Sequence, residues 1–173
     1  VYTLTRSSLF GTPHLLLQKL PASEFEATTR LTFLPGQEGD QSGLIMFGDS
    51  YASLCLLQTE DGTIRLSLIR GAKRADSHLH AEEWEETGLD WEGQGLQATG
   101  WTIHLRITLT EPALCQFSWS EDGAEFQPIG TPFSATTALW VGAKMGIYAV
   151  NTRFANRGGE GVFRYFDVKE TQK

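Results

Sequence analysis

The sequence of 173 residues has little of what marks a disulfide-stabilised or membrane-spanning protein. Its two cysteines, Cys55 and Cys115, are too few for a disulfide scaffold. Both lie in apolar runs, where a free cysteine packs as a small core side chain, and the sequence leaves a bridge between them open. No apolar run is long enough to cross a bilayer. We therefore expect one domain with no membrane partner, which buries roughly 70% of its unfolded surface.

Positive charge is scarce. The chain carries 14 Lys and Arg against 21 Asp and Glu, which gives a net charge of −7. An acidic domain repels phosphate backbones, so we expect no nucleic-acid partner. Six of the acidic side chains lie between Glu82 and Glu92, with no Lys or Arg among them. Because like charges this close favour exposure, we predict a solvated loop there, within an irregular connection over residues 76–97.

A recognisable catalytic set is also missing. The sequence has no nucleophile elbow, no phosphate-binding glycine loop and no paired Cys and His. Glycoside hydrolysis by two carboxylates needs an acid and a base or nucleophile on either side of the scissile bond, whereas most carboxylates here lie in turns or in the acidic run. Asp167 shares a strand face with Phe163 and Tyr165, which fits a buried structural role as well as any other. We predict no catalytic residue in this chain.

One pair of histidines has the spacing of a metal site. His78 and His80 precede Glu82 and Glu83, and a His-x-His pair on a strand would point both rings to one side. This stretch is typical of an acidic loop, and an exposed loop with two histidines is the favoured interpretation. We therefore predict neither a metal nor another cofactor.

The strongest positive signal is the alternation of apolar and polar residues. In residues 101–109 every second side chain is apolar, from Trp101 through Ile107 to Leu109, and Thr, His and Arg occupy the other positions. A half-buried strand collects such residues on one face, whereas a helix would scatter them. Residues 24–33 and 115–119 repeat the pattern. Shorter strands are predicted in the ranges 13–20, 43–48, 51–58, 63–70 and 161–168.

Turn residues agree with this pattern. Asp61-Gly62 and Asp122-Gly123 each separate two strand-like runs and tolerate the positive φ angles of tight hairpins, and Gly158-Gly159 is predicted to do the same. No segment has a helical apolar stripe. We predict an all-β, two-sheet antiparallel β-sandwich of about 10 to 14 strands, which fills residues 1–173 as a single domain.

Residues 139–149 hold the candidate site. Their alternation directs Leu139, Val141, Ala143, Met145, Ile147 and Ala149 into the core. Trp140, Lys144 and Tyr148 would then point outward, separated by glycines. Two aromatic rings and a cation on an open strand face suit a sugar, whose C–H faces stack on rings while its hydroxyls contact polar groups. The alternative is that Trp140 and Tyr148 are covered by a loop or by a neighbouring domain.

Several stretches resemble the C-terminal domain of glycoside hydrolase family 43 β-xylosidases, a concanavalin A-like jelly roll that follows a five-bladed catalytic propeller. The resemblance runs in order across residues 13–167 and is weakest over 71–100. It is carried by residues 14–22, 25–31, 39–44, 47–48, 51–52, 115–123, 126, 129–130, 133, 140–146 and 163–167.

The resemblance implies that the catalytic carboxylates lie in a propeller that this chain lacks, so that the chain is a fragment that follows it. In such enzymes the C-terminal domain packs on the propeller, and one of its aromatic residues helps to close the substrate pocket. That aromatic maps to Trp140 or to its neighbour Leu139, and since Leu139 is not aromatic the assignment falls on Trp140.

Two hypotheses follow for the function. The first is a non-catalytic accessory domain of a xylan-degrading enzyme of the β-xylosidase or α-L-arabinofuranosidase type, with the catalytic propeller and a xylan-type oligosaccharide as partners. The second is an autonomous carbohydrate-binding module. The first predicts an apolar face left bare in the isolated chain, and the second predicts measurable affinity for sugar. The cysteine count does not settle the compartment; a periplasmic or secreted location is favoured over a cytoplasmic one.

Overall fold

The computed structural model describes residues 9–12, 14–73, 82–90, 100–138, 141–153 and 158–171, with the backbone alone for residues 73 and 82–90. The described residues form eleven β-strands. In chain order they are β1 (Leu15–Lys19), β2 (Phe25–Leu34), β3 (Asp40–Phe47), β4 (Ser50–Gln58), β5 (Ile64–Lys73), β6 (Glu82–Asp90), β7 (Trp101–Thr110), β8 (Leu114–Ser120), β9 (Gln127–Ser134), β10 (Lys144–Asn151) and β11 (Glu160–Glu170).

The strands form two antiparallel sheets. The six-stranded sheet has the order β1-β10-β3-β4-β5-β6, and the five-stranded sheet has the order β11-β2-β7-β8-β9. Apolar side chains from both sheets meet in one buried cluster, the inner core, so the sheets pack face to face. The predicted two-sheet antiparallel sandwich is confirmed, and the number of described strands lies within the expected range.

The inner core follows the alternation of β2 and β7. Along each strand the residues are buried at every second position, and the register pairs Ala27 with Ile107 and Leu31 with Ile103. Directly opposite residues share a face, so the apolar faces of the two strands coincide. The faces predicted for residues 24–33 and 101–109 are confirmed.

The central strands β3 and β4 of the six-stranded sheet are buried on both faces. Besides the inner core this sheet carries a second buried cluster, here called the outer cluster, which consists of Leu9, Ile45, Tyr51, Cys55, Ile69 and Tyr148. Cys55 belongs to the outer cluster and Cys115 to the inner core, and both thiols are free. The sheet between the two clusters therefore separates the cysteines, and the bridge that the sequence left open does not form.

Two of the three predicted glycine turns are confirmed. Gly62 at φ +82° joins β4 to β5, and Gly123 at φ +80° lies between β8 and β9. The hairpin prediction for Gly158-Gly159 is wrong, because the strands on either side, β10 and β11, belong to different sheets. A close approach explains the glycine at 159, since a Cβ there would lie 2.0 Å from the carbonyl oxygen of Leu34.

The predicted acidic loop is wrong for residues 82–90, which form the edge strand β6. The register offers a reason. Arg65 is paired with Asp90, Arg70 with Glu85 and Lys73 with Glu82, so cationic residues of β5 lie opposite acidic ones. Opposite charges across a strand pair stabilise it, and a charged edge strand remains hydrated. His78 and His80 lie outside the described residues.

A β-bulge changes the faces of β11. The register against β2 shifts between Phe163 and Phe166, so that both phenylalanines pack against the inner core and Tyr165 lies on the outward face. The buried structural role that the sequence left open for Asp167 is not observed, since this carboxylate is exposed. An extra residue within a strand reverses the alternation beyond it, and the sequence pattern gave no sign of that insertion.

No membrane-spanning helix occurs in the part of the chain that the structure describes.

Candidate functional site

The predicted site lies at the start of β10, but the strand is shorter than expected. It begins at Lys144, and the described residues before it, 135–138 and 141–143, belong to an irregular connection from β9. Val141, which the alternation placed in the core, is 42% exposed. Its backbone bonds to Ala138 and not to a sheet neighbour, so the period of the strand does not extend to it. The prediction of a strand over 139–149 is therefore wrong for residues 141–143, and its first two residues lie outside the described ones.

The side chains of β10 point to the predicted faces of the sheet. The face that was predicted to be exposed is buried. Met145 and Ile147 pack against the inner core, and Tyr148 lies on the opposite face. Tyr148 is only 2% exposed, because that face is covered by the outer cluster and by Leu9 and Phe10 of the segment before β1. The prediction of an open face at Tyr148 is wrong: an outward direction leads to solvent only where no second layer covers the sheet.

Hydrogen bonds hold Tyr148 in this buried position. Its hydroxyl lies 2.6 Å from the hydroxyl oxygen of Ser53 on β4, and its carbonyl oxygen accepts a bond of 2.8 Å from the Ser42 hydroxyl on β3. Ser42 and Ser53 are themselves fully buried. Burial raises the pKa of Tyr148 well above its usual value, with a further contribution from the neighbouring Cys55. These contacts are typical of a buried tyrosine that links three strands.

Removal of this hydroxyl gives a direct measure of that role. We expect Tyr148→Phe to lower the free energy of unfolding by about 1–3 kcal/mol, because the buried Ser53 hydroxyl loses its partner. Urea denaturation of the chain measures the change. The double variant with Ser53→Ala is expected to lose less than the sum of the single losses, since the two hydroxyls satisfy each other. A midpoint for Tyr148→Phe equal to that of the unchanged chain would contradict this interpretation.

Lys144 is half-buried beside a cluster of three aromatic side chains. Its Cα partners are Lys19 on β1 and Phe47 on β3. The Phe47 ring lies 5.1 Å from the ring of Phe10 and is stacked at 6.2 Å on that of Tyr51. At the strand rise of about 3.3 Å per residue, Lys144 is roughly 13 Å from Tyr148 along β10. The structure thus places the two residues on one face without forming a single platform from them.

Trp140 and Leu139 lie outside the described residues, but both ends of the segment that contains them are held. The amide of Ala138 donates to the carbonyl oxygen of Val141 at 2.9 Å, and the Val141 amide donates back at 3.1 Å. On the N-terminal side, the Ser50 amide donates to the Thr136 hydroxyl at 2.9 Å. The connection between β9 and β10 is therefore fixed to the β3–β4 turn.

The β3–β4 turn was not singled out in the sequence, although Gly48 carries a signal of it. A Cβ at Gly48 would lie 1.9 Å from the carbonyl oxygen of Thr136, so only glycine admits this close approach. In addition, the Asp49 amide donates to the carbonyl oxygen of Thr137 at 3.3 Å. A glycine at a strand end is common in turns, which is why the sequence alone does not disclose its second contact.

The most extensively bonded carboxylate among the described residues is structural. Asp40 is 2% exposed; its Oδ2 accepts from the amides of Gly36, Gln37 and Gly159 at 2.7–2.9 Å, and its Oδ1 accepts from the Asn151 side chain at 2.6 Å. A buried carboxylate whose oxygens accept this many hydrogen bonds is held in place, which is typical of a structural role. Within the described ranges, no group of three or more His, Cys, Asp or Glu side chains could hold a metal ion.

Comparisons with known proteins agree with this architecture. The family described as the beta-xylosidase C-terminal concanavalin A-like domain matches residues 2–169. Among solved structures, a glycoside hydrolase of family 43 engineered to display both endo-xylanase and exo-arabinofuranosidase activity is 18% identical, with a TM-score of 0.74 over 98% of this chain and 33% of that one. No curated protein matches the chain.

Two further structures give similar values. The xylan β-1,4-xylosidase of Bacillus halodurans C-125 is 16% identical, with a TM-score of 0.69 over 90% of this chain and 29% of that one. The bifunctional GH43-CE protein of Bacteroides eggerthii is 16% identical, with a TM-score of 0.75 over 96% of this chain and 20% of that one.

The chain thus spans a third or less of the length of these proteins. At such identities the structural likeness establishes the fold, and the family assignment rests on the match over nearly the whole sequence. The chain belongs to the family of C-terminal concanavalin A-like domains of β-xylosidases.

Proposed function

We propose that this domain is a non-catalytic accessory part of a xylan-degrading glycoside hydrolase, in which it packs on a catalytic propeller and helps to shape the sugar pocket. The observation that carries the proposal is the family match over residues 2–169. The solved relatives contain at least twice as much additional chain, and two of them are named for activity on xylan or arabinofuranosides. The catalytic carboxylates are assigned to that additional part.

The packing surface that we propose is the end of the sandwich formed by β1, the start of β10 and the connection that precedes it. Four large apolar side chains are exposed in the described part of the chain, and two of them, Leu16 at 72% and Val141 at 42%, belong to this region. Exposed apolar groups of this kind mark contact surfaces in soluble proteins. Trp140 lies beside Val141 in sequence and is proposed as the residue that reaches the sugar pocket, with Lys144 next to it.

The decisive measurement uses the polypeptide that joins this chain to its propeller. Trp140→Ala is expected to lower kcat/KM for an aryl β-xyloside about tenfold, which corresponds to about 1.4 kcal/mol, the order of one lost aromatic contact. Val162→Ala is the matched control, because it truncates a valine of similar exposure on β11, outside the proposed packing surface, and it is expected to leave kcat/KM unchanged. The chain alone is expected to release no nitrophenol from the xyloside.

The stability of the isolated chain shows whether Trp140 is a residue of the sugar pocket or of the hydrophobic core. If Trp140 serves the pocket, Trp140→Ala changes the free energy of unfolding by less than about 1 kcal/mol, as at surface positions. A loss of roughly 3–5 kcal/mol with unchanged kcat/KM would identify Trp140 as a core residue and refute its proposed role.

The alternative, an autonomous carbohydrate-binding module, is favoured by a different surface, the polar outward face of the five-stranded sheet. Isothermal titration of the isolated chain with neutral, unsubstituted xylo-oligosaccharides tests this alternative, since a binding module holds the neutral xylan backbone without a propeller and an accessory domain does not.

A further inference from the structure

The outward face of the five-stranded sheet differs from that of the six-stranded sheet because it is polar. The residues that alternate away from the inner core on β2 and β7 include Arg30, His104 and Arg106. Arg30 and His104 are direct Cα partners, so their side chains leave the sheet side by side. All three are partly exposed. In a chain of net charge −7, a pair of arginines on one face is a local departure from the acidic average.

The bulge of β11 brings an aromatic side chain to this pair. The hydroxyl of Thr29 donates to the carbonyl oxygen of Tyr165 at 2.6 Å, which fixes the backbone of the bulge beside Arg30. The Tyr165 hydroxyl then lies 2.8 Å from Nδ1 of His104. Without the extra residue, Tyr165 would share the inward face of Phe163. Bulges often redirect a side chain at a functional site, and this one assembles Arg30, His104 and Tyr165.

The two arginines of this face differ in the partners that their guanidinium groups contact. Arg106 lies 3.5 Å from the Glu26 carboxylate, donates to Thr28 at 3.1 Å and stacks at 3.7 Å on the ring of Phe126. Arg30, in contrast, has neither a carboxylate nor a hydrogen-bond acceptor among the described residues. Its guanidinium, which carries five donors in a planar fork, is therefore available to an anion.

The carboxylates of this face are engaged or lie to one side. Glu26 is paired with Arg106, and Asp122 accepts bonds from the Ser120 hydroxyl at 2.9 Å and the Ala124 amide at 2.8 Å. Asp167 is exposed. Burial raises the pKa of the Tyr165 phenol, and the negative charge of Asp167 raises it further. In the register Asp167 pairs with Thr28, which in turn pairs with Arg106, so this carboxylate lies on the Arg106 side and a ligand anion would bind on the Arg30 side.

His104 contributes hydrogen bonds and no second charge. Burial and then the Arg30 guanidinium lower its pKa, against a smaller opposing effect of Asp122, so the ring is neutral at pH 7. The tip of the β8–β9 hairpin also contacts the ring, because a Cβ on Gly123 would lie 2.7 Å from its Cε1. The imidazole is thus held in place, with Tyr165 on one of its nitrogens.

We infer that Arg30, His104 and Tyr165 form a binding site for the carboxylate of a uronic acid carried on a xylan-type oligosaccharide. A guanidinium binds a carboxylate through two parallel hydrogen bonds, a geometry that a neutral sugar does not offer. The phenol ring supplies a surface for the sugar C–H face, and the imidazole and phenol supply partners for its hydroxyls. The inference rests on the proposed function only in its choice of a xylan-type backbone, since the site is on the other sheet from Lys144.

The test is isothermal titration of the isolated chain with xylotetraose that bears one glucuronic acid and, separately, with unsubstituted xylotetraose. The chain is expected to bind the substituted sugar and to bind the neutral one at least tenfold more weakly. Arg30→Gln is expected to weaken binding of the substituted sugar about tenfold or more, because a charge-assisted pair is lost. Tyr165→Phe, which keeps the ring, is expected to weaken it roughly threefold to tenfold.

Lys19→Gln is the matched control, since it removes one positive charge from an exposed position on the six-stranded sheet. It is expected to bind as the unchanged chain does. Equal binding of both sugars, no binding of the substituted one, or an unchanged affinity in Arg30→Gln and Tyr165→Phe would each overturn the inference. Displacement by inorganic sulfate at the same concentration as by glucuronate would also overturn it, because the site would then hold any anion. None of these outcomes bears on the kcat/KM of Trp140→Ala, so the two proposals fail separately.

Discussion

Replacement of Asp40 by alanine is expected to lower the free energy of unfolding by about 3–5 kcal/mol. The carboxylate is buried and accepts bonds from three backbone amides and from Asn151. The partners come from the β2–β3 turn, the end of β10 and the residue before β11. Alanine would leave these donors without an acceptor in a buried site, and a buried unsatisfied donor costs more than the hydrogen bond itself contributes.

Two further variants serve as comparisons for Asp40→Ala. Asp40→Asn is expected to lose less than Asp40→Ala, because its carbonyl oxygen can still accept from the three backbone amides, whereas its NH2 group replaces the oxygen that accepts from Asn151. Glu60→Ala is the control, since it removes an exposed carboxylate from the β4–β5 turn, and a change within about 0.5 kcal/mol is expected. The values come from urea denaturation monitored by tryptophan fluorescence. If Asp40→Ala unfolded at the same urea concentration as Glu60→Ala, Asp40 would not stabilise the junction between the sheets.

Truncation of Ile107 to alanine is expected to cost roughly 2–5 kcal/mol, the range for a large side chain removed from a packed core. Ile107 is fully buried in the inner core, opposite Ala27 on β2 and Phe117 on β8. Since Ala27 is small, the neighbouring strand has little side chain with which to fill the cavity. The expected loss therefore lies toward the upper part of that range.

The next residue along β7 is the matched control. Thr108 lies on the outward face and is partly exposed, so Thr108→Ala is expected to change the free energy of unfolding by about 0.5 kcal/mol or less. Thermal and urea denaturation of both variants measure the difference between the two faces. Equal losses for the two substitutions would show that the faces of β7 are not distinguished by burial, contrary to the structure.

Alternation predicted the fold well where a strand has one buried face. β2 and β7 have the inner core on one side and polar groups on the other, so their faces could be read directly from the sequence. β3 and β4 are buried on both sides, and their buried residues, polar ones among them, follow one another almost without interruption. Periodicity cannot reveal what covers the second face of such a strand, and this is why Tyr148 was expected in the open.

Two other features could not be predicted from the sequence, for physical reasons. The register places the acidic residues of β6 opposite Arg65, Arg70 and Lys73, which are distant in sequence and recognisable as partners only once the strands are paired. The bulge in β11 moves Tyr165 outward by one inserted residue, and a single insertion leaves no trace in a short alternating run. The outward direction of Arg30 and His104 could be predicted, whereas their aromatic neighbour could not.

The unequal covering of the two sheets has a consequence for how this domain can change over time. Almost every residue on the central strands of the six-stranded sheet is buried and packed, so nearly any substitution there lowers the stability of the domain. The outward positions of β2 and β7 contribute little to that packing and can be exchanged one at a time. New ligand preferences can therefore arise on the five-stranded sheet by stepwise substitution, while the other sheet preserves the architecture that presents them.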